Sequence, residues 1–166
     1  FKEFLASFRP PMHNARDFWL AFTGRTLLIF SYYMILNYQL YILESYIGQS
    51  KTAAAATISI MSVVTMVVAL VGSLTSGAIS DKLGRRKIPV NIASLLLAIG
   101  YLLPWVMKTS FSMILFAGFA GLGYAVYGAV DQALNVDVLP NKEEAGKDLG
   151  ILNIATTLGQ TAGPIV

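Results

Sequence analysis

The chain contains no cysteine and a single histidine, His13, among its 166 residues. Without thiols it forms neither a disulfide framework nor a thiolate metal site. One histidine, placed outside the apolar segments, does not favour a metal site or a proton relay built on imidazole groups. The patterns G-x-S-x-G, H-E-x-x-H and the P-loop are also absent. We therefore expect no enzyme, no cofactor and no metal.

Charge is scarce as well, because only 13% of the residues are charged while 55% are hydrophobic. A soluble domain of this length cannot bury so much apolar surface, so a lipid bilayer is the expected solvent. About 20 helical residues cross the roughly 30 Å hydrocarbon core. Five apolar runs have about that length or more, at approximately 18–46, 53–80, 88–107, 111–138 and 149–166. The sequence predicts an all-α, polytopic transmembrane helix bundle whose fifth helix is barely long enough.

The basic residues are distributed unevenly when the five runs are threaded back and forth across the membrane. Lys51 and Lys108 fall in the loops on one side, and Arg25 falls within the first run. The other nine fall on the opposite side: Lys2, Arg9, Arg16, Lys82, Arg85, Arg86, Lys87, Lys142 and Lys147. The positive-inside rule then predicts a multi-pass protein of the cell membrane with a cytoplasmic N-terminus, where residues 1–17 form a proline-containing linker. Cations at helix ends do not predict nucleic-acid binding.

Small residues in the second run and the apolar character of the third run predict how these two helices pack. Gly72, Ser73, Ser76 and Gly77 lie near the cytoplasmic end of the second run and favour close approach of another helix in lipid. The third run has few polar groups and ends near Pro104-Trp105, which suits a peripheral helix with an interfacial anchor. A short loop at 48–50 returns the second helix antiparallel to the first.

Polar side chains form one stripe on the first run and another on the fourth. At 100° per residue, each stripe lies within about 80° of arc. The first contains Thr26, Tyr33, Asn37, Tyr41 and Glu44, and the second contains Tyr124, Tyr127, Asp131 and Asn135. Polar groups in hydrocarbon face a helix bundle or a cavity. The two stripes either line one cavity for a small solute or form hydrogen bonds between helices.

Two ionisable residues lie at similar depth within the predicted membrane spans. Arg25 and Asp131 are each about 10 to 13 Å from the cytoplasmic end of their helix. Such residues are costly in lipid and indicate a functional site or a buried ion pair. Asp131 is therefore either the partner of Arg25 or the group that carries a coupling proton, and Arg25 alternatively extends to the cytoplasmic headgroups.

The turn between the second and third runs reads GAISDKLGRRK, from Gly77 to Lys87. It resembles motif A of the major facilitator superfamily, G-x-x-x-D-[RK]-x-G-[RK]-[RK], at every fixed position. The resemblance implies a conformational latch, in which Asp81 docks on a helix of the opposite half of the transporter and Arg85 pairs with an acid, Asp137 or alternatively Asp131. The remaining motif positions here are Gly77, Lys82, Gly84 and Arg86.

The resemblance further implies about five helices of one six-helix repeat, with a missing second half as partner. The proline-containing start and the absence of an R-x-x-Q-G pattern favour the C-terminal half, helices seven to eleven. Residues 159–164, GQTAGP, instead resemble the G-x-x-x-G-P pattern in helix five of drug antiporters, which favours the N-terminal half.

The family implies secondary active transport of a small solute by alternating access, coupled to a proton or to sodium. Hydroxyl and amide groups in the two stripes favour a sugar or another polar metabolite. The tyrosines suit aromatic drugs equally, so a multidrug antiporter is an alternative. A helical membrane scaffold without transport activity is another.

Overall fold

The structure is a computed structural model that describes the backbone of residues 15–83, 87–137 and 145–165, and the side chains of residues 15–76, 88–131 and 146–165. The described chain is helical throughout apart from short connections. Its helices are α1 (Arg16–Tyr41), which continues into one π-helical turn (Ile42–Tyr46), then α2 (Lys51–Leu83), α3 (Lys87–Val106), α4 (Ser110–Asp137) and α5 (Ala145–Ala162), followed by a 3-10 turn (Gly163–Ile165). The predicted all-α fold is confirmed.

Four of the five helices are long and apolar enough to cross a membrane. These segments are Arg16–Tyr46, Lys51–Ser76, Ile88–Val106 and Ser110–Asp131. The fifth helix is not among them, and it carries Lys147, Asp148, Asn153 and Gln160. Each helix begins slightly before its apolar run. The first residues of each helix, as in α5, include polar ones and were therefore not counted in the apolar run.

The described residues divide into two compact units. The first contains the described parts of residues 1–34 and 132–166, and therefore joins the start of α1 to α5. Its apolar core is formed by Ala15, Phe18 and Leu152, with Phe22 and Leu149 packed against it. Farther along both helices, Gly159 lies against Ile29 and Phe30, and Gly163 lies against Met34.

These contacts show that α1 and α5 are parallel. Residue numbers rise together on the two helices, from the pair Phe18 and Leu152 to the pair Met34 and Gly163. Two helices that cross a membrane in the same direction must be separated by an odd number of crossings. Three helices, α2 to α4, lie between them in the chain, and the back-and-forth threading of the five runs stays a prediction.

The second unit, residues 35–131, is organised around α4. Gly121 of α4 lies against Thr65 and Val68 of α2, where an added Cβ would come within 3.2 Å of each side chain. Gly123 faces α3 instead, and an added Cβ there would lie 2.7 Å from the carbonyl oxygen of Ala93. Glycines on two faces of α4 thus allow both neighbouring helices to approach its backbone.

The outer surfaces of α2 and α3 are apolar and exposed. Leu70 and Leu74 of α2 and Ile92, Leu95 and Trp105 of α3 belong to these surfaces. The peripheral position of the third helix stays a prediction. The predicted close packing of small residues on α2 holds at Gly72, where an added Cβ would lie 2.9 Å from Leu122. Ser76 is buried as well, whereas Ser73 is exposed. Gly77 has no described side-chain environment.

The loop between α1 and α2 is fixed by polar contacts at one end of the second unit. Gly48 has φ of +85°, a conformation that side chains with a Cβ rarely adopt. The side chain of the next residue, Gln49, accepts a hydrogen bond from Thr57 of α2 at 3.2 Å and donates one to Ser110 at the start of α4. Lys108 lies over the ring of Tyr46, 4.6 Å from its centroid. The α1–α2 loop and the α3–α4 loop are therefore joined to each other.

Candidate functional site

Arg25 is a buried cation inside the first unit, with 8% of its surface exposed. Its Nε donates a hydrogen bond to Thr156 Oγ1 at 2.8 Å, and its Nη2 donates to Asn153 Oδ1 at 3.4 Å. Both acceptors belong to α5. The Arg25 side chain therefore packs against α5, and its extension to the cytoplasmic headgroups stays a prediction. The pairing of Arg25 with Asp131 stays a prediction.

Tyr33 makes a second polar contact with α5, two turns farther along α1. Gln160 Nε2 donates a hydrogen bond to the Tyr33 hydroxyl oxygen at 3.2 Å. The Tyr33 ring also meets the ring of Tyr32 edge to face, with centroids 5.9 Å apart. Membrane helices use such hydrogen bonds to associate, at about 1 kcal/mol each. We call the set formed by Arg25, Tyr33, Asn153, Thr156 and Gln160 the α1–α5 polar contact.

Gly159 lies between the Arg25 bonds and the Tyr33 bond, and it allows α5 to come close to α1. An added Cβ at Gly159 would lie 2.9 Å from the Phe30 backbone nitrogen and 2.9 Å from Ile29 Cγ2. At Gly163 an added Cβ would lie 3.1 Å from the Met34 nitrogen. The backbones of α1 and α5 are therefore in van der Waals contact, so the short side chain of Thr156 reaches Arg25.

The other members of the first stripe have different environments. The Thr26 hydroxyl donates to the Phe22 carbonyl of its own helix at 2.8 Å. Asn37 and Tyr41 are exposed, and the Tyr41 ring contacts that of Tyr38. Glu44 lies in the π-helical turn, where the advance per residue is smaller than 100°, so the regular spacing of the stripe does not extend to it.

The second stripe is more buried. Tyr124 is half-buried, whereas Tyr127 and Asp131 are buried, with Asp131 5% exposed. All three lie on the central helix α4. The side chain of Asn135 lies outside the described residues. The structure thus gives α4 a buried polar face, and the cavity that we predict at this face stays a prediction.

The side chains of the motif residues lie outside the described part of the chain. Gly77, Asp81 and Lys82 lie in the last turns of α2, whose side chains there are outside the described residues. Gly84, Arg85 and Arg86 lie outside the described backbone as well. Asp137 is the last residue of α4, and its side chain is likewise not described. The latch therefore stays a prediction from the sequence.

The polar residues of α5 were missed in the sequence. Asn153, Thr156 and Gln160 follow the spacing i, i+3, i+7, which places them on one helix face. That periodicity is a readable signal, but the fifth run is short and rich in small residues, so the sequence analysis predicts only a membrane span there. Within the described residues, no cluster of three or more histidine, cysteine, aspartate or glutamate side chains is positioned to hold a metal ion.

Four membrane-length helices, together with a buried arginine held between two helices, define a polytopic α-helical membrane protein. The family model for the Major Facilitator Superfamily matches residues 25–166. The chain belongs to this superfamily, whose members transport solutes across membranes. Comparisons with curated proteins and with solved structures gave no match.

Proposed function

We propose that the chain is part of a secondary active transporter that moves a small solute by alternating access, with coupling to a proton or to sodium. A sugar or another polar metabolite is the favoured solute. The observation that carries the proposal is Arg25, which lies nine residues into an apolar helix and is hydrogen-bonded to α5. A charged group at such a position is expensive in a membrane and is typical of sites that bind solutes or ions.

The proposed solute cavity is lined by Thr26, Tyr33, Asn37 and Tyr41 of α1 and by Tyr124, Tyr127 and Asn135 of α4. Hydroxyl and amide groups on these helices supply the hydrogen bonds that a polar solute loses when it leaves water. Cysteine substitution at Asn37 and Tyr127 tests the cavity in the full-length protein. Labelling by a water-soluble maleimide should be slowed by the transported solute, and labelling by a lipid-confined reagent alone would contradict the proposal.

The proposed latch consists of Gly77, Asp81, Lys82, Gly84, Arg85 and Arg86 with Asp137, and it would act by holding one end state of the transport cycle. Its support is the complete match of the motif in the sequence. Asp81→Asn should slow transport while expression is retained, because it removes the charge that interacts with a helix N-terminus. Asp17→Asn, at an exposed acid in the first turn of α1, is the control. Unchanged transport with an unchanged inward-to-outward ratio would contradict the latch.

A multidrug antiporter is the second candidate, and one observation favours it. Gly159 and Gly163, which belong to the G-x-x-x-G-P pattern, both pack directly on the α1 backbone. The two candidates differ in direction and in solute. Proteoliposomes with an imposed pH or sodium gradient, assayed with polar metabolites and with aromatic cations, distinguish uptake from exchange.

A helical scaffold without transport activity is the remaining alternative. The same proteoliposome assay tests it, since a folded full-length protein that moves no solute in either direction would favour the scaffold. The orientation that we propose places the N-terminus and the motif turn in the cytoplasm. Protease protection of a tag at the N-terminus checks this orientation independently of transport.

A further inference from the structure

The π-helical turn at Ile42–Tyr46 holds one residue more than the α-helix that leads into it would hold. The Ile47 nitrogen donates a hydrogen bond at 3.0 Å to the carbonyl oxygen of Ile42, which lies five residues earlier. An α-helix makes the same bond over four residues, so the turn contains one surplus residue. Single π turns within α-helices are rare and occur frequently at functional sites. The turn is therefore a candidate functional element.

The chain is fixed in and directly after the turn. Leu43 is fully buried, and its carbonyl oxygen accepts a hydrogen bond from the Gln49 nitrogen at 2.9 Å. The side chain of Gln49 is itself bonded to Thr57 of α2 and to Ser110 of α4. These contacts hold the α1–α2 loop against the second unit, so the loop stays in place when the helix before it moves.

The part of α1 just before the turn is held much less firmly. None of the side chains of residues 35–42 is buried, whereas Leu43 directly after them is fully buried. Asn37 and Tyr41, which belong to the proposed solute cavity, lie on this segment, and both are exposed. A helical segment with no buried side chain turns about its axis at little cost in packing.

We propose that the π turn moves along α1 and acts as a register switch for the proposed solute cavity. When the turn moves toward the start of α1, each residue that it passes takes the angular position of the residue before it, a rotation of about 100°. Tyr38 then replaces Asn37 on the cavity face, and Ile42 replaces Tyr41. Each step exchanges a backbone hydrogen bond over five residues for one over four, so the backbone stays bonded in an apolar setting.

The switch changes the chemistry of the cavity wall. In the present register the wall offers the Asn37 amide and the Tyr41 hydroxyl to a polar solute. In the shifted register the apolar side chain of Ile42 replaces that hydroxyl and excludes water. Alternating access requires a site that is hydrated at one stage and closed to water at another. The inference rests on the proposed transport function and adds a moving element to its site.

Cysteine labelling of the full-length protein in nanodiscs tests the switch, because the two registers expose neighbouring positions to water. Asn37→Cys and Tyr38→Cys are reacted with a water-soluble maleimide, and the labelled peptide is followed by mass spectrometry. Each variant is compared with a form from which Ile42 is deleted, since the deletion removes the surplus residue and keeps α1 in its present register. The deletion should slow labelling at position 38 about tenfold, because it removes a minor register. Labelling at position 37 should be retained.

Ile42→Ala is the matched control, because it removes the side chain and keeps the surplus residue, and it should leave both labelling rates unchanged. Equal labelling at position 38 with and without the deletion would overturn the switch, as would an equal loss in Ile42→Ala. Hydrogen exchange of the unaltered protein decides the matter if the deletion prevents folding. The amides of residues 37–47 should then exchange about tenfold faster than those of residues 54–64 in α2, because a moving turn opens backbone bonds. Equal exchange in the two segments would overturn the switch.

Flux assays separate this inference from the proposed function. Glucose and ethidium serve as probes in proteoliposomes with an imposed pH gradient. Retained flux of either probe after deletion of Ile42 would overturn the switch and leave secondary transport in place. The expected labelling pattern in a protein that moves neither probe would support the switch and contradict transport of these two kinds of solute.

Discussion

Arg25 Nε donates a 2.8 Å hydrogen bond to Thr156 Oγ1, and this bond joins two helices that are 131 residues apart in the chain. A charged donor in an apolar setting loses its hydration, and a neutral hydroxyl replaces part of that hydration. The contact lies one turn before Gly159, where the two backbones meet. It therefore fixes both the register and the rotation of α5 against α1.

Thr156→Val should destabilise the protein by about 1 kcal/mol, because the substitution keeps the shape of the side chain and removes the acceptor for Arg25. The measurement is the midpoint of thermal unfolding of the full-length protein in detergent. Thr157→Val, at the exposed neighbour, is the matched control and should have a smaller effect. Equal destabilisation by both variants would show that the loss of stability comes from the lower helix propensity of valine and not from the lost hydrogen bond to Arg25.

Gly159→Ala should be destabilising by about 1 to 3 kcal/mol, because the new methyl group would overlap Ile29 and the Phe30 backbone. Gly150→Ala, in the same helix, adds its methyl group where nothing lies within 4 Å. That control should be neutral or slightly stabilising, since alanine is the better helix former. Unfolding midpoints of the two variants give the comparison, and a Gly159→Ala protein as stable as the control would contradict the close packing.

Gly123→Ala should disturb the second unit in the same way. Its added Cβ would lie 2.7 Å from the Ala93 carbonyl oxygen, a backbone atom that cannot rotate aside. We expect a loss of about 1 to 3 kcal/mol and a shift of α3 away from α4. Gly128→Ala, on the same helix with open space around it, is the control. Retained stability of Gly123→Ala would mean that α3 lies farther from α4 than described.

Gln49 and Ser110 should be energetically coupled, since the Gln49 amide donates to the Ser110 hydroxyl. A double-mutant cycle with Gln49→Ala and Ser110→Ala should give a coupling free energy of about 0.5 to 1.5 kcal/mol. Ser62→Ala is the control partner for Gln49→Ala, because Ser62 is exposed and bonds only to its own helix, at the Ile58 carbonyl. Additive effects for Gln49 and Ser110 would show that the two loops are not joined.

Asp131→Asn should remove the response of solute flux to an imposed pH gradient, because asparagine keeps the shape of the side chain and cannot exchange a proton. Flux is measured in proteoliposomes at fixed solute concentration, with and without the gradient. Asp17→Asn again serves as the control. A pH response that survives Asp131→Asn would leave Asp131 as a structural partner in the buried polar face of α4.

Much of the fold was predictable because hydrocarbon imposes a simple rule on each segment. A run of about 20 apolar residues must be helical to satisfy its backbone, whatever its neighbours are. The runs at 53–80 and 88–107 therefore predicted α2 and α3 closely. The π-helical turn at Ile42–Tyr46 was not predictable in this way, since it depends on local packing at one helix end.

The candidate site was only partly predictable. Arg25 and the polar stripes could be found in the sequence because each consists of polar residues within an apolar helix. The sequence did not predict which residues Arg25 and the stripes contact. The contacts between α1 and α5 depend on glycines that lie against the opposing backbone, and this role becomes visible only in the tertiary structure. Gly159 and Gly150 are both glycines of α5 and look equivalent in the sequence, yet only Gly159 is close to another helix.

By itself, the sequence determined the membrane environment, the number of helices, the motif that resembles a transporter latch and the presence of charge within an apolar helix. Each of these follows from composition, order or spacing along the chain. The tertiary structure decided that Arg25 is bonded to Thr156 and Asn153, that Tyr33 is bonded to Gln160, and that α1 and α5 run parallel. Such facts depend on the distance between segments far apart in the chain, and in lipid that distance is set by close packing of small residues rather than by hydrophobicity.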